Sequence, residues 1–236
     1  HFPWSKSAFS SDIVGSNTAN SLDLDSTGTI GDTAGGSITI AGLTDVVAGS
    51  LISIGDSTFN TGTLTFSGTS VAILESSDMT VSAPSTATVL LNLGSNDDIT
   101  INGTVSVTGN TTILAGLLGG TGAIDINATL TASGGGAILL DAADSITIDA
   151  PVDPTTVTLE ADDDITINAP VVADTLITVT AGIDGTGSVT LDGTAPETGS
   201  LTTTAAGSNI AITTGTTTGS ITLDGNVTSL DRLTLT

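Results

Sequence analysis

The chain contains no cysteine and no tyrosine, one histidine, and 2 Lys+Arg against 25 Asp+Glu. Aromatic residues make up only 2% of it. Each shortage excludes something. Nucleic-acid binding rests on Lys and Arg neutralising phosphates, so nucleic acid is excluded as a partner, and so is adhesion to anionic membranes. The formal charge of −23 at pH 7 favours cations, cationic partners or water at the surface instead. No run of about 18 apolar residues exists, so membrane insertion as a helix is not expected. The lack of cysteine leaves the redox compartment open, because a large β protein needs no disulfide. His1 is terminal, with no Ser or Cys context that suggests a triad. Glycoside hydrolysis needs a carboxylate pair at a suitable separation. Aspartates are plentiful, but the aromatic platforms and basic residues that usually line sugar subsites are not. The chain reads as no enzyme.

What it does contain is aliphatic. Hydrophobic residues are 38% of its 236 positions, whereas disordered acidic tails are poor in them. Ile, Val, Leu and Ala recur periodically, so something is buried. The chain begins at His1 with neither a basic region nor an apolar leader. Either a leader has been removed or this is part of a longer protein, and secretion to the cell surface is the expectation.

Aligning the chain with itself shows a repeat. "SDMTVSAPS" from Ser77, "DDITINGTV" from Asp97, "DSITIDAPV" from Asp144 and "DDITINAPV" from Asp163 are versions of one phrase. Looser copies start at Gly36, Gly122, Gly187, Ser208 and Gly219. The first apolar residues are Met79, Ile99, Ile124, Ile146, Ile165, Val189 and Ile210, separated by 20, 25, 22, 19, 24 and 21 residues. Ile221 follows after only 11, which predicts a break of register near the C-terminus. A second alternating strand lies between the anchors: "TVLLNL" from Thr88, "AILLDA" from Ala137, "TVTLEA" from Thr156 and "LITVTA" from Leu176. Period-two alternation, β-branched residues and Gly/Asn/Asp/Pro punctuation every 8 to 12 residues read as short strands throughout.

A β-sandwich would usually carry aromatic core residues and need not repeat at this interval. A solenoid repeats by construction, each coil stacking about 4.8 Å above the last with parallel pairing. The expected fold is therefore all-β, a parallel β-helix (β-solenoid) of about 19–25-residue coils. Residues 1–20 read as an N-terminal cap or inter-subunit plug, and 21–236 as the solenoid.

The stretch "TVTLEADDDITINAPVVADTLITVTA" resembles the repeats of filamentous-haemagglutinin-like exoproteins and large bacterial adhesins. The likeness spans roughly residues 36 to 236. It implies a right-handed, secreted shaft at the cell surface. No counterpart of that family's N-terminal secretion domain is found in the chain.

Carboxylates recur at similar places in the repeat: Asp97 and Asp98, Asp141 and Asp144, and the run Asp162, Asp163 and Asp164. Hard oxygen ligands clustered on turns suit calcium between coils, although the fold requires no cofactor. The rival reading is a solvated acidic corner. "GGTGAID" (119–125) is a faint, solitary version of a calcium-binding glycine-rich repeat. Thr-x-Thr pairs at Thr156/Thr158, Thr178/Thr180, Thr202/Thr204 and Thr234/Thr236 suggest threonine ladders of the kind that order water in ice-binding solenoids; β-propensity alone also explains them. Asn102, Asn110, Asn127 and Asn226 head glycosylation sequons, which Thr-rich strands also produce by chance.

The two ends differ. "HFPWSKSAF" holds Phe2, Trp4 and Phe9, three of the five aromatics, and Lys6, one of two basic residues; the other, Arg232, lies in "LDRLTLT" with Leu233 and Leu235. Solenoid ends expose strand edges and an open core, so they need caps or they template association. Phe2, Trp4, Lys6, Phe9, Arg232, Leu233 and Leu235 form the expected subunit interface. Unlike ends meeting head to tail propagate into filaments; the rival is an adhesin shaft that binds a surface ligand. Deleting residues 1–9 should abolish polymerisation with β content intact by circular dichroism, and filaments that persist would exclude the plug.

Overall fold

Alternation of inward aliphatic and outward polar residues makes short strands, and the turns between them fold each coil into three faces. The computed structural model describes residues 11–55, 58–194 and 198–236. It is all-β and without helix, a β-solenoid of about 10 turns of roughly 21 residues. The described strands join in one 25-stranded sheet, and every strand pairing is parallel.

Along each coil the chain visits the faces in fixed order. Face 1 runs from Ser11–Ile13 through Ile30–Asp32, Leu51–Ile54, Asn110–Ala115 and Leu176–Ala181 to Arg232–Leu235. Face 2 begins with Ser16–Ala19 and later carries the repeated phrase, in Met79–Val81, Ile99–Ile101, Ile124–Ile126, Ile146–Ile148, Ile165–Ile167, Val189–Leu191 and Ile221–Leu223. Face 3 includes Leu22–Ser26, Val105–Val107, Pro170–Ala173 and Asn226–Thr228. Ser11–Ile13 and Ser16–Ala19 already pair with the following coil, so the solenoid starts inside the segment 1–20 assigned to a cap.

The interior is made of columns of like residues. Ile99, Ile124, Ile146, Ile165 and Val189 stack without exposure on face 2. Leu93, Ile113, Leu140, Leu159, Val179 and Ile212 do the same on face 1. Complete burial of such a side chain is worth roughly 1.5–3 kcal/mol. Only the early coils use aromatics, Phe59 and Phe66.

The predicted break of register near the C-terminus does not occur. Val189 pairs with Ile221, a coil of 32 residues, and Ile210 is not a face 2 anchor but lies on face 1 between Ile177 and Leu233. "NIAIT" and "SITL" alternate alike, so spacing mistook one face for the other. Part of the added length is the turn around 214–220, outside the core.

Corners bring backbones close. A Cβ at Gly109 would run into the Val89 carbonyl oxygen, and one at Gly136 into that of Gly109. Face 1 also contains a mismatch: Thr111 replaces an aliphatic residue between Leu91 and Ile138, 1% exposed, and its hydroxyl has no partner. Leaving a buried hydroxyl unpaired costs about 1–3 kcal/mol. Thr111→Val, of nearly the same shape, is expected to stabilise the fold by about 1–2 kcal/mol in urea denaturation; an unchanged or lowered midpoint would mean the hydroxyl is satisfied.

Candidate functional site

The repeated phrase "DDITINAP" has a physical grammar. Its last aspartate ends the corner before face 2, and the corresponding positions stack as Asp78, Asp98, Ala123, Ser145, Asp164, Ser188 and Ser220, each carbonyl except that of Asp78 accepting a bond from the strand of the coil before. Three of these carboxylates also accept an amide from the next coil. Asp98 N–H donates to Asp78 Oδ1 at 3.4 Å, Ala123 N–H to Asp98 Oδ1 at 2.9 Å, and Ser188 N–H to Asp164 Oδ1 at 2.8 Å. Asp98 and Asp164 therefore staple coils together. The Asn or Asp after the strand does likewise: Asn127 Nδ2 donates to Asn102 Oδ1 at 3.0 Å, and Asn168 Nδ2 to Asp149 Oδ1 at 2.7 Å.

The remaining expected calcium ligands meet in part. Asp163 N–H donates to the Asp144 carbonyl, and the two side-chain carboxyls come within hydrogen-bonding reach. Desolvation, the bond to Asp144 and the charges of Asp144, Asp184 and Asp164 push Asp163 above the usual aspartate value. Asp141 is raised by desolvation and by Asp162 beside it. Asp97 stays at its own corner, its N–H donating to Ser95 Oγ at 3.1 Å. Among the described residues no three or more of His, Cys, Asp and Glu gather so as to hold a metal ion.

The Thr-x-Thr pairs are scattered. Thr158 and Thr178 are neighbours, but Ala211 separates them from Thr234 on face 1, while Thr202 lies on face 3. A threonine column that spacing missed runs up face 2 as Thr80, Thr100, Asp125, Thr147, Thr166, Thr190 and Thr222. The signal was present as the central residue of each "ITI". It is one residue wide, and Asp125 interrupts it, its carboxyl pushed up by desolvation, Asp98 and Asp149.

Of the expected interface, Phe2, Trp4, Lys6 and Phe9 lie outside the described residues. Arg232 is at the last rung of face 1 and donates Nε–H to Thr234 Oγ1 at 3.1 Å. Leu233 and Leu235 pair with Ile210 and Ile212, so they continue two buried columns, yet they are 43% and 49% exposed. Composition could not foresee an apolar surface on face 1. Leu74, Leu114 and Leu117 border a shallow depression with Ala72, Asn92 and Gly94, and Leu51 and Leu118 are exposed leucines of the same region of the chain. A Cβ at Gly94 would meet Leu117 Cδ1 at 2.7 Å and Leu74 Cδ1 at 3.2 Å, so the absence of a side chain there lets both leucines lie down.

Compared with family models, curated proteins and solved structures, the chain matches none. The adhesin resemblance thus stands on the repeat phrases.

Asp164→Ala removes the staple and is expected to lower stability by about 1 kcal/mol, whereas Asp164→Asn, which keeps the acceptor, retains most of it. In the same denaturation series a chelator is expected to leave the wild-type midpoint unchanged. A calcium-dependent rise that vanishes in Asp163→Asn would instead place an ion at the corner.

Proposed function

We propose that this protein is an extracellular structural element, a β-solenoid subunit of a cell-surface or matrix filament assembling head to tail. One observation carries the reading: coils stack on one another by the same parallel, in-register contact, and the columns run on through the rung at Arg232–Leu235. Leu233 and Leu235 extend the Ile210 and Ile212 columns, and Leu230 beside them is 57% exposed. At the other end, Ser11–Ile13, Ser16–Ala19 and Leu22–Ser26 pair with the following coil, and Ile13, Ala19 and Leu22 are half-buried against the core. A first coil laid on a last coil repeats the contact made between every pair of coils. Such a heterologous contact does not close on itself, and edge pairing supplies its affinity. The acidic, threonine-rich exterior and the adhesin-like repeat support placement outside the cell. The role is mechanical, and catalysis is no part of it.

A second reading has its own observation. The leucine depression on face 1 suits a shaft that binds an apolar ligand or surface, as an adhesin does.

Negative-stain microscopy and sedimentation separate the two. The wild type is expected to form rods of several solenoid lengths as concentration rises. Leu233→Asp with Leu235→Asp should yield single rods, while Leu117→Asp with Leu118→Asp should leave assembly intact. Single rods at every wild-type concentration would refute the filament, and assembly lost only in the Leu117/Leu118 variant would give the lateral face that role.

A further inference from the structure

The solenoid has a defective joint between its third and fourth coils. On face 2 the strand Met79–Val81 pairs fully with Ile99–Ile101 above, but with the coil below only through Leu64 and Val81. Residues 58–61, which occupy face 2 in the third coil, pair with 37–40 beneath them and are not continued by Met79–Val81 above. The gap is filled from face 1. Ser76 N–H donates to the Phe59 carbonyl at 2.9 Å, and the Thr61 amide, on a residue that pairs with Ile40 below but with no strand above, donates to Glu75 Oε1 at 2.5 Å.

Glu75 is 0% exposed, and its other oxygen, Oε2, has no partner. It ends its rung of face 1 in a column otherwise made of small residues. Glu75 pairs with Ser95; Leu114 pairs with Gly94 just before it, and the column continues as Ala115, Ala142, Ala161 and Ala181. Around it, Thr44 Oγ1 and Thr61 Oγ1 are 2.7 Å apart, and Ser95 is fully buried. These groups, from the second, third and fifth rungs, carry hydroxyls that do not ionise. The charged group facing it among the described residues is Asp78, from the turn that follows its own strand, and Asp78 repels a second negative charge. Arg232, the basic residue among the described ones, is at the far end of face 1 and does not compensate it. An ionised carboxylate in such a site is costly, and the group keeps its proton instead. Burial first, and Asp78 after the opposing bond from Thr61, carry it from 4.5 to about 8.

We propose that Glu75 is a proton-held latch for the joint between the third and fourth coils: as the neutral acid it substitutes for the missing face 2 pairing, and loss of its proton opens the joint. Because the folded value lies above the unfolded one, the stabilisation is complete below about pH 4.5 and is lost as pH rises through about 8.

Hydrogen exchange on the full chain tests this. After correction for intrinsic rates, protection of the Thr61 amide is expected to fall by up to about tenfold per pH unit between pH 5 and 8 and then to level off. Amides of Ile146–Ile148, far along face 2, serve as the control and should hold. Glu75→Gln, a neutral isostere, should keep Thr61 protected throughout. Protection of Thr61 that does not change with pH, or the same loss in Glu75→Gln, would overturn the proposal. Should Glu75→Gln not fold, the wild-type Glu75 side-chain carboxyl is followed by carbon NMR. A transition near pH 8 supports the latch, and one near 4.5 refutes it.

Discussion

Every feature of this molecule depends on in-register parallel stacking, in which each residue pairs with its own equivalent one coil away. Two consequences follow. Backbone bonds run along the axis from coil to coil, and side chains of one kind accumulate in columns. An isoleucine gains burial only because the residues above and below it are also aliphatic and equally placed. The fold is therefore cooperative along one dimension, each coil stabilised by its two neighbours. A mistake at one level is felt at the next, as with Thr111 between Leu91 and Ile138.

Stacking like on like should be ruinous for a chain of −23, since carboxylates one coil apart repel across about 5 Å. The corner before face 2 shows how this is contained. Asp78 and Asp98 are followed by Ala123 and Ser145, then Asp164 is followed by Ser188 and Ser220. Neutral residues break the column before charge accumulates, and the aspartates that remain spend an oxygen on the next coil's amide. Where two carboxyls do meet, as at Asp144 and Asp163, the cost shows in the raised affinity of Asp163 for its proton. The acidity thus serves lateral repulsion and corner stapling together.

Much of the architecture was legible because inward and outward residues alternate and the alternation recurs. Met79 through Val189 were aligned correctly from spacing, and the structure stacks them in that order. What spacing cannot carry is the identity of a face. Ile210 has the local look of an anchor, and only its partners Ile177 and Leu233 assign it to face 1. The candidate site was less legible. In the sequence the aspartates read as carboxylates sharing an ion; that they accept amides depends on backbone one coil away. Glu75 sits at the end of an ordinary "VAILE" alternation, and its burial follows from a pairing defect between coils that no local pattern encodes.

The joint and the leucine surface occupy the same part of the rod, and their proximity has a physical logic. Leu74 points outward from the residue before Glu75, and Leu117, from a later coil, lies over Gly94 to meet it. Leu117 thus ties together coils on the upper side of the joint, next to the strand that carries Glu75. Below the joint the aliphatic core also includes Phe59 and Phe66, and above it, among the described residues, no aromatic side chain is buried. On face 2 the coils meet at this joint through a side chain and a corner amide in place of a strand pair, while the aliphatic columns continue on both sides of it.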